Sequence, residues 1–554
     1  MLRAMFSRPL PLLLLVTGLF TFLIQSGELG TSDTTHRLQV THSLWTGQPQ
    51  VFPYEYPDFG VHGRGGRLYA SYGIGQSLLM LPADLAGTAA SRLPVWRRYV
   101  ESGTDPTLRS IVVSITTNVL INVLTALAAY HLLCLLGFSM RASIAGTLGL
   151  LCATTHLHYA QNMTENNYIL LLTLTGFALQ YRWLLTAEKR FLIWGSIALG
   201  VNLLTRVTTA LDIVGAACFL LFTAGFVRQG ASSEEDPVAT VREGLGQRTP
   251  SLMGAGGGKG VAPVLLYLRT ALPIYGAFLL LDRVYQYIRF GSWTTTYVSV
   301  LAREQRRLNP ALPASYPFEG HWFQGGLNSG VLGPLFAPEK SLFLFDPLLP
   351  LACLLVVLLW RQLEPAVRAL FAASLLLLVA YILFYGRYDS WGGDFAWGDR
   401  YLSSTVELIA LLAVPLLLRY RQSLGRPVWR LGLIVIATSV AVQCASVAFW
   451  LPLELYQRQD FGRHTWIVFL RFKNIAGFAL HRSAAWGLDT PAIHQDPWDA
   501  VHLTTWNVLP WLLCHVGATP LRVVYGLYGV WSIAGLGLIA ASIRLGRSLR
   551  GLAE

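Results

Sequence analysis

Charged side chains are scarce in this chain of 554 residues, where Asp, Glu, Lys and Arg together make up 13%. An average soluble protein has about 25%. Hydrophobic residues make up 53% of the chain, and so few charges cannot cover a water-soluble surface of this size. Apolar stretches of about 17–25 residues, each long enough to cross a roughly 30 Å hydrocarbon core, recur along the sequence. The composition excludes an ordinary soluble protein and predicts an all-α polytopic membrane protein.

The sequence also lacks the spacings typical of metal, disulfide and nucleotide sites. "GAGGGKG", residues 254–260, resembles a phosphate-binding loop, but that motif needs glycine where Met253 stands and Ser or Thr where Gly260 stands. The net charge of +12 does not indicate nucleic acid, because Arg and Lys cluster at the ends of apolar segments. The cysteines lie in or beside apolar runs and are interpreted as small hydrophobic residues: Cys134, Cys152, Cys218, Cys353, Cys444 and Cys514.

The apolar runs predict about twelve transmembrane helices. The first follows Arg3 and Arg8 like a signal peptide, but no small-residue cleavage site follows it, so we expect a retained helix. The predicted spans are 9–25, 111–136, 142–160, 167–186, 191–207, 210–227, 270–288, 341–360, 368–386, 402–418, 431–451 and 522–543.

Basic residues predict the orientation of these spans. With the N-terminus in the cytoplasm, five short inner connections and the C-terminal tail carry the Arg and Lys clusters, as the positive-inside rule requires. These residues are Arg141, Arg182, Lys189, Arg190, Arg228, Arg361, Arg368, Arg419, Arg421, Arg426, Arg430, Arg544, Arg547 and Arg550. Both termini are then expected in the cytoplasm. The outer segments 26–110, 289–340, 387–401 and 452–521 are then expected on the opposite, outer face of the membrane.

Two segments are predicted not to span. The inner segment 228–262 is rich in Gly, Ser and Glu, and we expect a disordered cytoplasmic linker there. The apolar piece 506–516 is too short to cross a bilayer and is predicted to be interfacial.

The outer segments hold nearly all the unusual polar clusters, and the first begins with "SDTTHRL", residues 32–38. Ser32 is a plausible N-cap, and Asp33 then lies in the first helical turn, where the positive helix end favours a carboxylate. This pattern fits a capped interfacial helix and, equally, a carboxylate that takes a proton from an acceptor hydroxyl. Tyr72 and Gln76, in a further predicted interfacial helix, suit packing as well as substrate binding.

Other outer clusters follow along the chain. Glu165 lies in a short turn between two spans, and Arg206 lies near the outer end of the fifth span. Lys340 is at the mouth of the eighth span. "WGGDFAWGDRYL", residues 391–402, brings Asp394, Asp399 and Arg400 together before the tenth span. Solvation, snorkelling and an interfacial aromatic belt are the structural alternatives, but a charge at membrane depth is costly unless it is paired or functional.

Together, these motifs resemble the GT-C superfamily of polytopic glycosyltransferases, especially bacterial relatives of protein mannosyltransferases and aminoarabinose transferases. The resemblance rests on an acid after the first span, "HYAQNMTE" before the fourth, "LLTR" ending the fifth, "LFAPEKSLFLFDPLL" at the eighth and "WGGDFAWGDRYL" before the tenth. It covers most of residues 1–420, which we expect to form the catalytic region. Residues 421–554 add transmembrane helices and the outer loop 452–521.

The resemblance implies transfer of a sugar from a polyprenyl-phosphate donor to an envelope glycan, lipid or protein, by in-line displacement with inversion. It implies Asp33 as the base, with Glu165 assisting, orienting the acceptor or sharing a divalent ion. Arg206, Lys340 and Arg400 are the expected phosphate ligands, and Tyr72, Gln76, Asp394 and Asp399 are expected to bind substrate. Many relatives carry an adjacent acidic pair where "SDTTHRL" has one acid, so dependence on Mg²⁺ or Mn²⁺ stays open.

Two other functions remain as alternatives. A transporter or flippase for a lipid-linked or small anionic substrate would concentrate charge near the bilayer midplane and show internal repeats. A ligase or acyltransferase would be expected to lack the acid after the first span.

Overall fold

Long helices make up most of the described part of the chain, which also contains one small two-stranded sheet. The structure is a computed structural model that describes residues 9–56, 58–93, 107–232, 261–393, 396–450, 453–454, 457, 466–482, 505–515 and 519–551. The strands are β1 (Gly60–His62) and β2 (Leu68–Ala70), which pair antiparallel. In chain order the α-helices are α1 (Pro9–Leu23), α2 (Ser32–Thr46), α3 (Gly75–Ser91), α4 (Leu108–Leu135), α5 (Met140–Ala153), α6 (His156–Gln161), α7 (Glu165–Thr186), α8 (Lys189–Thr205), α9 (Ala210–Ser232), α10 (Val261–Phe290), α11 (Tyr297–Leu308), α12 (Leu332–Phe336), α13 (Leu342–Phe345), α14 (Leu348–Leu359), α15 (Pro365–Tyr385), α16 (Ser403–Ala410), α17 (Ala413–Arg419), α18 (Arg421–Ser446), α19 (Ile467–Ala479), α20 (Leu509–His515) and α21 (Leu521–Arg550).

Helices lie at every predicted span, since each apolar run is long enough to close its own backbone hydrogen bonds. Among the described residues, seven helices are long and apolar enough to cross a membrane. They are α4, α7, α10, α15, α18, α21 and a run from Val207 to Val227 that includes most of α9. Three shorter apolar helices are α1, α5 and α14. The all-α polytopic class is therefore observed in the described residues, while the count of twelve spans stays a prediction.

Some predicted spans are divided. The run 341–360 is interrupted at Asp346 and Pro347, between α13 and α14, because proline cannot donate a backbone hydrogen bond within a helix. Likewise, 142–160 becomes α5 and the short α6, and 402–418 becomes α16 and α17. Apolar composition reveals the run but not these breaks.

Small residues let the membrane helices pack closely. A Cβ on Gly176 of α7 would come within 2.5 Å of Leu199 Cγ on α8, and Gly200 of α8 lies directly against Phe278 of α10. Close backbone approach of this kind replaces the hydrophobic driving force that is missing between helices in lipid. The bundle therefore holds α7, α8 and α10 in fixed register around the start of α7.

The basic connections meet at one end of the bundle, here called the basic end. Arg141 donates to the carbonyl oxygens of Leu549 (2.5 Å) and Arg550 (3.0 Å). Arg419 donates to the carbonyl of Gly137 and to Glu364. Helix α4, with 28 residues, separates this end from α2 and the start of α7 by about 42 Å. This arrangement supports the predicted orientation, although the bilayer side of each end stays a prediction.

The first outer segment contains two helices, as predicted, but also the β1–β2 hairpin, which the sequence did not predict. The predicted N-cap of the first of these helices, Ser32, is wrong by one residue. Thr31, not Ser32, caps α2, because its backbone is extended and its side chain accepts from the Thr34 amide.

The predicted bounds of the linker, 228–262, are wrong at both ends, because α9 continues to Ser232 and α10 begins at Val261. Its central part, 233–260, lies outside the described residues. The short apolar piece 506–516 contains α20, which has seven residues and is too short to cross a bilayer.

Candidate active site

Asp33 lies in the first turn of α2, where its carboxylate joins three parts of the chain. One oxygen accepts from the Tyr72 hydroxyl at 2.8 Å, and the other accepts from Nη1 of Arg400 at 2.9 Å. The side chains of Asp33 and Arg400 keep 24% and 16% of their exposure. Ligand atoms can therefore reach this carboxylate, which the paired residues hold in one orientation.

Glu165 opens α7 and forms ion pairs with two arginines, Arg37 from α2 and Arg206 from the end of α8. Its two oxygens go to different guanidinium groups, and all three side chains are 8% exposed or less. Arg206 stands where the negative end of α8 favours a cation. We call Asp33, Arg37, Glu165, Arg206 and Arg400 the ion-pair cluster.

The ion-pair cluster contains three guanidinium groups and two carboxylates, so its formal charge is +1. Tyrosines surround it: the Arg37 guanidinium lies 4.6 Å from the Tyr72 ring centre, and Arg206 lies 4.9 Å from that of Tyr401. Tyr401 stacks on Tyr385 at 4.2 Å. Aromatic faces stabilise cations that have lost their water. These tyrosines therefore stabilise the net positive charge of the ion-pair cluster, which is partly buried.

The neighbouring cations keep Asp33 ionised. Burial alone would raise the pKa of its carboxyl, but Arg400, Arg37 and the Tyr72 hydroxyl outweigh burial and lower that pKa to about 2. Burial, followed by the Asp33 charge, raises the pKa of the Tyr72 hydroxyl above its usual range. At neutral pH the pair is thus a carboxylate that accepts a hydrogen bond from a neutral phenol.

Arg400 is held by the loop that precedes α16. Nζ of Lys340 donates to the carbonyls of Ala396 (2.9 Å) and Gly398 (3.1 Å), and Asp399 accepts from the Tyr401 amide at 3.0 Å. Lys340 is therefore observed as a support for this loop, and its predicted phosphate contact stays a prediction.

Three predicted substrate ligands have different surroundings. Burial raises the pKa of Asp399 to about 7, with Lys340 and Arg400 opposing that effect, and Asp399 contacts backbone rather than an open surface. Gln76 is fully buried, and its amide atoms have no hydrogen-bond partner within the described residues. Asp394 lies outside them. Substrate binding by these residues stays a prediction.

The sequence reasoning missed several partners. The sequence motifs assign no function to Arg37, Tyr401 or Tyr385. Arg37 and Glu165 are far apart in the chain, so no local spacing joins them. The one available signal was Arg37 itself, a cation near a helix N-terminus, which the positive helix end disfavours unless an anion compensates.

His36 and His42 also lie in α2, and both have partners that the sequence alone does not indicate. His36 stacks on Phe59 and lies 3.4 Å from Glu55, and His42 lies 3.0 Å from Asp84. These partners lie later in the same outer segment, which folds back so that its residues contact α2.

The donor set does not fit a divalent cation. Within the described residues, no three His, Cys, Asp or Glu side chains are grouped to hold a metal ion. Both oxygens of Glu165 pair with arginines. The three guanidinium groups of the ion-pair cluster would repel a metal cation placed beside them. We therefore derive no step that uses Mg²⁺ or Mn²⁺.

Comparisons with known proteins find similarity among solved structures. No protein-family model and no curated protein matches the chain. The oligosaccharyltransferase of Archaeoglobus fulgidus in its apo form matches at 12% identity with a TM-score of 0.41, over 88% of this chain and 60% of that one. The same organism's AglB, solved with an inhibitory peptide and a dolichol-phosphate, matches at 12% identity with a TM-score of 0.42, over 89% and 63%.

ArnT from Cupriavidus metallidurans, solved with undecaprenyl phosphate, matches at 13% identity with a TM-score of 0.37, over 86% of this chain and 72% of that one. The chain thus spans less than two thirds of the length of the archaeal oligosaccharyltransferases.

Proposed function

We propose that the protein is a membrane glycosyltransferase that takes a sugar from a polyprenyl-phosphate donor. The observation that carries this proposal is the ion-pair cluster, in which Asp33 meets Arg400, and Glu165 meets Arg37 and Arg206. These residues come from four separate parts of the chain and meet at the end of the bundle opposite the basic end. A buried group of charges assembled in this way is costly unless it is paired or functional.

The surplus of positive charge suits a lipid phosphate. Guanidinium groups bind phosphate oxygens in a bidentate fashion and present five N–H donors each, more than their present partners use. Arg206 follows a helix of the membrane bundle, where a lipid headgroup would lie. We assign Arg206 and Arg400 to the donor phosphate, with Arg37 as a third cation.

Asp33 is assigned as the proton acceptor. The acceptor oxygen forms a bond to the anomeric carbon while the bond from that carbon to the phosphate oxygen breaks, and its electron pair leaves with the polyprenyl phosphate. The proton of the acceptor hydroxyl passes to the Asp33 carboxylate. The leaving phosphate needs cations rather than a general acid, and developing negative charge on it is stabilised by preorganised guanidinium groups.

A transporter or flippase is less well supported. Transporters place their functional charge near the bilayer midplane at interrupted helices. The ion-pair cluster instead joins the first turns of α2 and α7 to the end of α8 and the loop before α16. Such a position suits chemistry at the membrane surface, which we assign to the periplasmic face of a bacterial inner membrane.

Mass spectrometry of envelope glycans tests this function. A strain from which the gene is deleted should lose one sugar residue from an envelope glycan, lipid or protein, and the intact gene on a plasmid should restore it. A glycan, glycolipid and glycoprotein profile unchanged by the deletion would contradict the proposal.

A further inference from the structure

A buried ion pair in the last outer segment lies beside the loop that carries Arg400. Arg471 of α19 pairs with Glu454, and their side chains are 0% and 2% exposed. Nε of Arg471 donates to Glu454 at 2.5 Å. The negative end of α18 favours this cation, and the two Nη atoms donate to carbonyl oxygens at and just after that end. These carbonyls belong to Ser446, Phe449 and Trp450.

The guanidinium of Arg471 is fully occupied. It makes five hydrogen bonds, to Glu454 and to these carbonyl oxygens, and a guanidinium has five N–H donors. Further hydrogen bonds hold the carboxylate, since Asn474 donates to Glu454 at 2.9 Å and Gln457 donates to Asn474 at 3.0 Å. The charge of Arg471 is thus fixed in place and committed within the protein. Any effect of Arg471 on the ion-pair cluster therefore passes through a neighbouring side chain.

That neighbour is Trp397, which precedes Arg400 in the loop before α16. The Arg471 guanidinium lies 5.3 Å from the centre of the Trp397 ring, and the Phe345 ring meets it edge-on at 5.0 Å. Trp397 is 1% exposed, and its Nε1 has no hydrogen-bond partner within the described residues. Contacts with its ring therefore hold this side chain. A cation over an aromatic face attracts it strongly where water is excluded.

The position of Trp397 sets the course of the chain toward Arg400. The carbonyl of Trp397 accepts from the Tyr159 hydroxyl at 3.1 Å. Gly398, which follows, turns the chain at a φ of 71°, a left-handed conformation that favours glycine. After this turn, Nη1 of Arg400 donates to Asp33 at 2.9 Å. A shift of the Trp397 ring would therefore be passed on to the contact between Arg400 and Asp33.

We propose that Arg471, acting through the Trp397 ring, is a positioning residue for Arg400. The last outer segment then takes part in catalysis by supporting the loop of the active site. The inference rests on the proposed function, in which Arg400 holds Asp33 as the proton acceptor. Without Arg471, the Trp397 ring loses the cation that faces it, and the loop gains freedom to carry Arg400 away from Asp33.

The expected signature is a loss of activity in acid. The groups that favour the ionised form of the Asp33 carboxylate are Arg400, Arg37 and the Tyr72 hydroxyl. A displaced Arg400 opposes protonation of Asp33 less, and the rate of transfer should then fall as the pH falls. A residue that served stability alone would lower the yield of folded protein but leave the shape of the pH profile unchanged.

Two pairs of variants test this role. Arg471→Gln removes the cation, and Lys473→Gln is its matched control, because Lys473 is an exposed cation of the same helix. Arg471→Gln also leaves the Glu454 charge buried without its partner, which lowers stability. The second pair therefore changes only the ring: Trp397→Leu removes the aromatic face, whereas Trp397→Phe keeps one. If Arg471→Gln fails to fold, the second pair decides.

Each variant is produced as the full chain in nanodiscs and given undecaprenyl-phosphate sugars with envelope glycan from the deletion strain. Release of undecaprenyl phosphate is measured between about pH 5 and 8. We expect Arg471→Gln and Trp397→Leu to be slower by about 10–100-fold at neutral pH, the cost of a small misplacement, and to lose further activity in acid. Lys473→Gln should match the wild type. Trp397→Phe should keep the flat profile with a smaller loss of rate.

The double variant Arg471→Gln/Arg400→Gln tests the route. If Arg471 acts through Arg400, the double variant should release lipid within about twofold of the rate of Arg400→Gln alone, because changes in coupled residues are not additive. Losses that multiply would overturn the positioning role, as would flat pH profiles for both Arg471→Gln and Trp397→Leu. A wild-type protein that releases no undecaprenyl phosphate would instead contradict the proposed function.

Discussion

The two carboxylates of the ion-pair cluster differ in their surroundings and therefore in the chemistry open to them. Asp33 shares one guanidinium and one phenol and keeps 24% exposure, whereas Glu165 is 7% exposed and sits between two arginines. Both oxygens of Glu165 pair with guanidinium groups and are shielded from an acceptor, and removal of this carboxylate leaves those two cations facing each other. We therefore assign proton transfer to Asp33 and a positioning role to Glu165.

Glu165→Gln should lower the free energy of unfolding by about 3–5 kcal/mol, because it leaves buried charges uncompensated. Glu188→Gln is the matched control. Its ion pair with Arg190 is exposed, at 43% and 68%, and exposed pairs contribute about 1 kcal/mol or less. Thermal unfolding of the two purified variants measures the difference. Equal melting temperatures for both variants would contradict a supporting role for Glu165.

Arg400→Gln should make catalysis sensitive to acid. In the wild type the pKa of Asp33 is lowered to about 2, so Asp33 stays ionised and the rate should show no acid limb from it between about pH 5 and 8. Without Arg400, the largest influence that opposes burial is lost, and the Asp33 pKa rises. Proton acceptance needs the ionised form, so activity is lost as pH falls through this higher pKa.

The measurement is the pH profile of the residual rate in Arg400→Gln against that of the wild type. The ionised Asp33 carboxylate also stabilises the fold, and this stability, like the activity, falls as the pH falls. Its contribution is present above the unfolded pKa of about 3.9 and is lost as pH falls toward about 2. Profiles of identical shape would show that Arg400 does not control Asp33.

At the scale of the elements, the sequence predicted where the helices lie better than it predicted which residues contact each other. Each apolar run contains a helix, because hydrophobic length is a local property. The β1–β2 hairpin was missed, since strands of three residues show too little alternation to be recognised. The contact between Asp33 and Arg400 spans 367 residues, and only the shared position of both at helix starts in outer segments indicated that they meet.

The start of α3 depends on glycine. A Cβ on Gly75 would come within 2.6 Å of the Thr205 amide nitrogen and within 2.8 Å of the Leu204 carbonyl carbon, and backbone atoms cannot move away cheaply. Gly75→Ala should cost about 1–3 kcal/mol of stability. It should also lower activity, because Thr205 precedes Arg206.

Gly276→Ala is the control for this variant, since Gly276 lies within α10 and a Cβ there meets nothing within 4 Å. Alanine is the better helix former by up to about 1 kcal/mol, so this change should be neutral or slightly stabilising. Unfolding curves and transfer rates of both variants show whether the start of α3 requires glycine. A Gly75→Ala protein with unchanged stability and rate would show that α3 does not position Arg206.

For the whole molecule, the account requires that the ion-pair cluster and the basic end face opposite sides of the membrane. Thr35 and Gln422 are exposed positions near these two ends. In a background with the native cysteines replaced by serine, Thr35→Cys should react with a membrane-impermeant maleimide in spheroplasts. Gln422→Cys should react only after lysis. The reverse pattern would place the site on the cytoplasmic side.

The central claim is that Asp33 drives sugar transfer from a lipid phosphate, and release of the lipid tests it most directly. The purified protein in nanodiscs is given undecaprenyl-phosphate sugars together with envelope glycan from the deletion strain, and the undecaprenyl phosphate released is measured. The wild type and Asp58→Asn, a control at an exposed acid of the same segment, should release it at equal rates. Asp33→Asn should be slower by about 10²–10⁴-fold, the usual contribution of a general base. Release by Asp33→Asn at the wild-type rate would contradict the account.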